Sequence, residues 1–377
     1  SSYGLAFTDP DFKFPQLWRN NIGIDQRLPF GFIGTAEFIY DRDVNGVYYI
    51  NANLKEPNTS FTGADARPRW TTGNRVNNNI TSAVVLKNQN EGRAWNIAGS
   101  LEKPFSSGLF VKGAYSYGES KNTVDPGSIA FGSYNNNQHS GDPNNPGLGF
   151  SGNSAKHRLF GAASYRAEWF RFGATTVSMF AEARTIGNTS YTFSGDLNGD
   201  GGFSNDLIYI PRDQSEMNFQ TFTQAATTTT PAKTFTSQQQ AEAWNSFIER
   251  DEYLSANRGS YAERGAVFLP LVKRVDVSLA QELFTDIGGS RNGIQLRADV
   301  VNFGNLLNKN WGLGQRLITT QPLIVPSSTQ GGPADAQGRA QYRLRVINNE
   351  LVTTPLEQTA GLGDVFQVRL GLRYTFN

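Results

Sequence analysis

The stretch Phe366-Gln-Val-Arg-Leu-Gly-Leu-Arg-Tyr-Thr-Phe-Asn377 decides the reading of this chain. Phe366, Val368, Leu370, Leu372, Tyr374 and Phe376 alternate with Gln367, Arg369, Gly371, Arg373, Thr375 and Asn377. Successive side chains of a strand point to opposite faces, so one face is wholly apolar and the other carries Arg369 and Arg373. The same period of two recurs upstream. Ile294, Leu296, Ala298 and Val300 stand against Gln295, Arg297 and Asp299, and Val275, Val277 and Leu279 against Arg274, Asp276 and Ser278. Val177, Met179, Ala181 and Ala183 oppose Ser178, Glu182 and Arg184. Segments 95–101, 109–117 and 159–169 follow the same rule. Small residues are common on these apolar faces, and a thick two-layer core would make poor use of them.

Composition narrows the class. The 377 residues carry 34 Lys+Arg against 33 Asp+Glu, a net charge of +1, which excludes a polybasic nucleic-acid binder and an acidic disordered tail. With 26 Phe, 14 Tyr, 6 Trp and 39 Gly, the chain reads as folded β-structure rather than disorder. Cys is absent, so there is no disulfide framework, thiolate metal site or Cys nucleophile, and the redox compartment is left open. The longest apolar stretch, Gly265–Val272, contains a Pro and falls far short of the roughly 20 residues of a transmembrane helix. Strands that alternate need no such run, so a membrane β-barrel stays open. The chain starts at Ser1 without a signal-peptide pattern, and any leader is expected outside it.

Tight turns are expected at Pro29–Gly31, Pro104–Gly108, Phe170–Gly173 and Thr285–Gly289, with long polar loops at about 121–156 and 193–271 between the last three. Short turns on one rim and long loops on the other describe an outer-membrane barrel, whereas sandwiches spread loop length over both ends. The expected fold is therefore all-β, an antiparallel transmembrane β-barrel with long extracellular loops and one short loop helix. About thirteen strands are expected: near 17–28, 32–44, one within 47–76, 80–88, 93–103, 109–119, 158–168, 174–190, 273–284, 292–303, 312–324, 340–350 and 366–377. An odd count with the N-terminus outside predicts that preceding strands are missing and that residues 1–377 are the C-terminal portion of a larger barrel. Ser237 and Gln240 fit a capping box for a helix over Ala241–Leu254, which Gly259 stops. The Thr227–Thr230 run before it is low-complexity.

The sharpest chemical signal is Asp196-Leu-Asn198-Gly-Asp200-Gly-Gly202, followed by Asp206. Oxygen donors at positions 1, 3 and 5 with Gly at 6 match the first half of an EF-hand-type loop. Asp196, Asn198, Asp200, the Gly202 carbonyl and Asp206 are the candidate Ca²⁺ ligands, and an ion there would stiffen the loop rather than catalyse. The last acid falls at position 11 and no helices flank the loop, so a Gly/Asn-rich turn with solvated or ion-paired carboxylates is the competing reading. Trp18, Trp70, Trp169, Trp311 and Tyr374 lie near strand ends and suit an interfacial aromatic girdle or ordinary sheet packing. Tyr134, His139 and Asn135–Asn137, with Phe131 and Phe150 nearby, form either a ligand surface or a solvated loop. Catalysis finds little support: His139 and His157 are the only histidines, no His/Cys/acid spacing suits zinc, and Gly199–Gly202 lacks the Lys and helix of a phosphate loop, while a Ser–His–Asp triad, whose members only the fold would place, stays open. Arg297, Asp299, Arg369 and Arg373 fit a hydrated lumen lining.

Several stretches together resemble the barrel of TonB-dependent outer-membrane receptors, in particular the Oar-like branch typical of Bacteroidota. They are Asp11-Phe-Lys-Phe-Pro-Gln-Leu-Trp-Arg19, Gly195–Asp200 running on to Asn205–Asp213, and Phe247-Ile through Arg258-Gly259, Arg264-Gly265 and Pro270. Asn302-Phe-Gly-Asn-Leu-Leu-Asn308 and the closing Leu372-Arg-Tyr-Thr-Phe376, similar to the β-signal read by the barrel-assembly machinery, complete the set. The resemblance spans essentially the whole chain, with Gly195–Asp213 its most specific part. It implies a 22-stranded barrel holding a plug domain, of which this chain shows neither plug nor TonB box. It also implies outer-membrane localisation in a Gram-negative bacterium and import or export of a substrate too large for porins. The implied partners are membrane lipid, the plug and N-terminal strands of the same protein, the TonB–ExbB–ExbD complex and a capping surface lipoprotein. Asn377 departs from the aromatic that usually ends the β-signal. A stand-alone porin or structural barrel, and a secreted β-sandwich enzyme or binding module, are the alternatives.

Overall fold

The computed structural model describes residues 2–169, 172–228, 230–287, 290–326 and 333–376. The chain is all-β, built on one 12-stranded sheet. Its long strands are β1 (Tyr3–Thr8), β2 (Gln16–Arg27), β3 (Ile33–Asn51), β4 (Ile80–Gln89), β5 (Arg93–Pro104) and β6 (Leu109–Asn122). They continue with β7 (His157–Trp169), β8 (Gly173–Thr185), β9 (Leu271–Ile287), β10 (Ser290–Val301) and β11 (Gln367–Phe376). From β5 to β11 each strand pairs antiparallel with the next in sequence, and β2 lies on the far side of β3. Among the described residues β2 and β11 each pair with one strand only, so the sheet is open.

Alternation along the strands becomes two unlike faces because the register is unbroken. Val368, Leu370, Leu372 and Tyr374 lie opposite Val300, Ala298, Leu296 and Ile294, while Arg369 lies opposite Asp299. Leu279 continues the apolar row from Ala298 to Val177, which faces Tyr165. Ile97, Phe38 and Ile22 form its far end. This face is not a core: Leu370, Ile22 and Leu159 are 83%, 73% and 54% exposed, and among the described residues no second sheet covers the rows. On the opposite face charges pair across strands, Arg166 with Glu282 (2.7 Å), Arg158 with Glu182 (2.8 Å) and Lys112 with Glu102 (2.9 Å).

Strand direction puts the tight turns at 28–32 and 105–108 on one rim, and the long connections 52–79, 123–156, 186–270 and 302–366 on the other. The expected turns Phe170–Gly173 and Thr285–Gly289 and the Thr227–Thr230 run fall partly outside the described residues, as does Asn377. The buried core belongs to the long connections: Tyr191, Phe193, Trp244, Phe247, Ile248 and Leu344 are its centre. The molecule is a sheet with both faces largely open, capped at one rim by its own folded loops.

The strand expectations change in two places. Segments 80–88 and 93–103 are the two strands β4 and β5, but they lie end to end along one strand: Ile33 faces Glu102, Arg42 faces Arg93, Gly46 faces Gln89 and Asn51 faces Val84, a single register along β3. The turn-like Asn90–Gly92 is only an irregularity there, because Gln89 Oε1 accepts the Gly92 N–H (3.1 Å) and Asp43 N–H donates to Gly92 O (2.8 Å). Segments 47–76, 312–324 and 340–350 hold only the end of β3 and pieces of two or three residues. Their apolar residues, such as Leu323, Tyr342 and Leu344, serve the cap core instead of a sheet face. The helix runs over Ser237–Arg250, and its capping box is Thr236 with Gln239 rather than Ser237 with Gln240. Gln240 is buried inside the helix, where it accepts the Leu344 N–H (3.0 Å). Asp251, in extended conformation, ends this helix and caps a short second one, Glu252–Ala256. Gly259, at φ 81°, follows as the stop.

Candidate functional site

The Asp196–Asp206 loop lies at the heart of the cap. Asp196 accepts N–H bonds from Gly199 (2.6 Å) and Gly201 (3.0 Å), Asn198 from Asp200 (3.1 Å) and Asp200 from Gly202 (2.6 Å). These side-chain-to-backbone bonds wind the loop, and Gly199 and Gly201 at φ 85° and 95° provide the left-handed steps it needs. The chain then returns, so that Asp206 Oδ2 accepts the Leu197 N–H (2.8 Å).

A second segment is laid against this loop. His139 bridges in parallel to Asp206, its N–H donating to Asn205 O (3.0 Å) and its carbonyl accepting from Leu207 N–H (2.9 Å). That places His139 Nε2 3.2 Å from Asp200 Oδ2, both side chains 1% exposed. The pair is at ion-pair distance without hydrogen-bond geometry, and both His139 ring nitrogens and Asp200 Oδ2 are buried with no hydrogen-bond partner. Asn205 Oδ1 is in the same condition. Among the described residues, His139, Asp200 and Asp206 are the group of His, Cys, Asp or Glu whose ligand atoms all come within 4.8 Å of one another.

Arg67 closes the cluster from the other side. Its Nε donates to Asp65 Oδ1 (2.9 Å), Nη2 to Leu207 O (2.8 Å), and Nη1 lies 3.4 Å from Asp206 Oδ1. The guanidinium is fully buried between the Phe193 and Tyr261 rings, 5.2 Å from each centroid. Burial disfavours its charge, but Asp65 and Asp206 outweigh that and raise the pKa above an ordinary arginine. Burial and the neighbouring carboxylates push Asp196 up to about 7 and Asp206 up to about 6. Burial works against protonation of His139, yet Asp200 and Asp206 raise its pKa overall.

The five candidate Ca²⁺ ligands are thus brought into one loop, but the convergent set takes His139 and leaves out Asp196. His139 has a second consequence. With Tyr134 it is buried, Tyr134 Oη donating to Asn144 Oδ1 (3.1 Å), so these two do not present a ligand surface. Of that group Phe131 is exposed. Trp70 is also a cap residue, buried with Nε1 donating to Lys55 O (2.6 Å), and is no part of a girdle. Trp18 and Tyr374 are exposed near strand ends, and Trp311 is exposed within the 302–366 connection. His139 and Arg67 as partners of Asp200 and Asp206 were not foreseen, and no local spacing marks them: a parallel bridge between distant segments brings in His139, and side-chain bonds to Leu207 O and Asp206 bring in Arg67.

A cavity of about 110 Å³ adjoins the cluster, lined by Asp200, Gly202 and Asn205 with Tyr134, Asn74 and Arg75. No protein-family model, curated protein or solved structure matches this chain.

Proposed function

We propose that this chain forms wall and outer cap of a TonB-dependent transporter in the outer membrane of a Gram-negative bacterium. The observation that carries the reading is the uncovered apolar face running from β2 to β11, backed by an ion-paired polar face. An open sheet with such a face needs an apolar solvent, and lipid is the occupant that fits its extent. The strands from β2 to β11, 10 to 19 residues long, meet or exceed the roughly 9–11 that a tilted membrane strand requires. The long connections add a packed core at one rim, which supports capture of a bulky substrate better than an open pore does. In this reading the polar face lines the lumen, the cap selects a peptide, protein, glycan or metal chelate, and plug displacement driven by TonB–ExbB–ExbD opens the path. The plug and remaining strands come from elsewhere in the same protein, the assembly machinery engages β11, and a surface lipoprotein is a further partner. The reading gives the chain no catalytic role.

Two measurements test it. Epitopes placed at Thr227 in the cap and at Ser106 in a short turn should be reached by antibody on intact cells in the first case and only after permeabilisation in the second. Equal labelling of both overturns the topology. The full-length protein in planar bilayers should show no steady conductance, whereas a stand-alone porin conducts.

A further inference from the structure

We infer that His139, Asp200 and Asp206, with Asn205 as a fourth donor, form a binding site for a divalent first-row transition cation that pins two of the cap's long connections together. The inference concerns the cap alone and does not depend on the transporter reading.

Geometry is the first argument. Ligands at about 2.0–2.2 Å from such an ion lie roughly 3–3.5 Å from each other when adjacent in the coordination shell. His139 Nε2 and Asp200 Oδ2 are 3.2 Å apart, and the three ligand atoms fit within 4.8 Å. The backbone holds them there before any ion arrives, through the His139–Asp206 bridge and the Asx bonds of the loop.

The second argument is the buried polar atoms left without hydrogen bonds. A buried imidazole ordinarily finds partners for its nitrogens, because leaving them unmet is costly. Here His139 Nδ1 and Asn205 Oδ1 are buried without a hydrogen-bond partner, and His139 Nε2 and Asp200 Oδ2 face each other at 3.2 Å without making one. A bound cation would satisfy Nε2 and Asp200 Oδ2 at once, and Asn205 lines the adjoining cavity beside Asp200. Charge favours it too: Asp65, Asp196, Asp200 and Asp206 crowd this interior against Arg67 and His139. Arg67 draws on one Asp206 oxygen, and a carboxylate has lone pairs to spare for a metal as well.

The donor set names the class of ion. Calcium takes an all-oxygen shell of six to eight ligands, whereas imidazole with carboxylates suits zinc, manganese, iron or nickel. The adjoining cavity has room for the waters that would complete the shell.

The test uses the whole chain in detergent, stripped with chelator and titrated with Co²⁺, Zn²⁺, Mn²⁺ and Ca²⁺ separately. We expect one Co²⁺ per chain with a visible spectrum of mixed nitrogen and oxygen ligation, displaced by Zn²⁺. His139→Gln and Asp200→Asn should weaken binding by at least about tenfold, while His157→Gln leaves it unchanged. Paramagnetically shifted imidazole resonances in the Co²⁺-loaded wild type read ligation directly, so misfolding of a variant does not decide the matter. Absence of binding by the folded wild type overturns the inference. So does Ca²⁺ binding that survives His139→Gln and is lost in Asp196→Asn, since that belongs to the oxygen-only loop.

Discussion

Leu296 on β10 and Leu372 on β11 stand directly opposite each other in the sheet, 56% and 72% exposed. Two paired aliphatic side chains mid-strand ordinarily face a core, and no core is there. If lipid is their solvent, Leu296→Arg should cost about 2–4 kcal/mol of folding free energy in bilayers. Its sequence neighbour Arg297 points the other way and pairs with Asp299 at 2.8 Å, partly exposed, so Arg297→Ala should cost under about 1 kcal/mol. Denaturant titration of bilayer-inserted protein compares the two, and equal costs contradict the assignment of faces.

The cap should respond as a separate packed unit. Trp244 is fully buried and stacks on Phe247 with ring centroids 5.2 Å apart. Trp244→Ala should destabilise the cap by about 3–5 kcal/mol and expose residues 186–270 to protease, leaving strand content by circular dichroism largely intact. Loss of the sheet signal at the same time would show that the two are not separable.

How much of this was legible in the sequence depends on the range of the contacts. A strand's faces are set by neighbours two residues apart, so Val368 to Phe376 read correctly from the chain alone, and the alternation of short and long connections followed. The cap did not read so well. Leu323, Tyr342 and Leu344 have the same local alternation as wall residues, and only their contact with Phe193 and Trp244 makes them core. The Asp196–Asp200 spacing was visible because an Asx-rich turn is local. His139 and Arg67 were not, because long-range pairing brings them to Asp206.

Arg67 is the cation that neutralises Asp65 and Asp206 inside the cap. Arg67→Met keeps much of the volume between the Phe193 and Tyr261 rings but strands both carboxylates. The expected loss is about 3–5 kcal/mol, read as a lower midpoint for cap unfolding by intrinsic fluorescence. A loss under about 1 kcal/mol would mean that water already reaches the pair.

Asp364 supplies a pH dependence of known sign. Burial alone would raise its pKa, but N–H bonds from Gly314 and Gly361, the Thr359 side chain and the charge of Arg274 hold it below the usual carboxylate value. A lowered folded pKa means stability that is present above the unfolded value and lost as pH falls through the folded one. Protease resistance of residues 302–366 should therefore drop below pH of about 4. Asp364→Asn should be weaker at neutral pH and lack that step. An unchanged step in the variant would assign the transition to another group.

Gly265 joins the second and third long connections, 123–156 and 186–270. It sits at φ 68°, and a Cβ there would press on the Phe150 carbonyl. Gly265→Ala should cost about 1–3 kcal/mol or more, seen as faster hydrogen exchange at Phe150 N, which donates to Arg264 O at 2.8 Å. Unchanged exchange would show that the backbone gives way there without loss.

The most direct measurement uses the absence of native cysteine. Single cysteines at positions 369 to 374, carrying an environment-sensitive fluorophore, report each face of β11 in protein inserted into bilayers. Quenching by brominated acyl chains should be strong at Leu370, Leu372 and Tyr374, and weak at Arg369, Gly371 and Arg373, which a water-soluble quencher should reach instead. Water access at both sets, in a chain that stays folded and monomeric without detergent, would contradict the membrane account at its root.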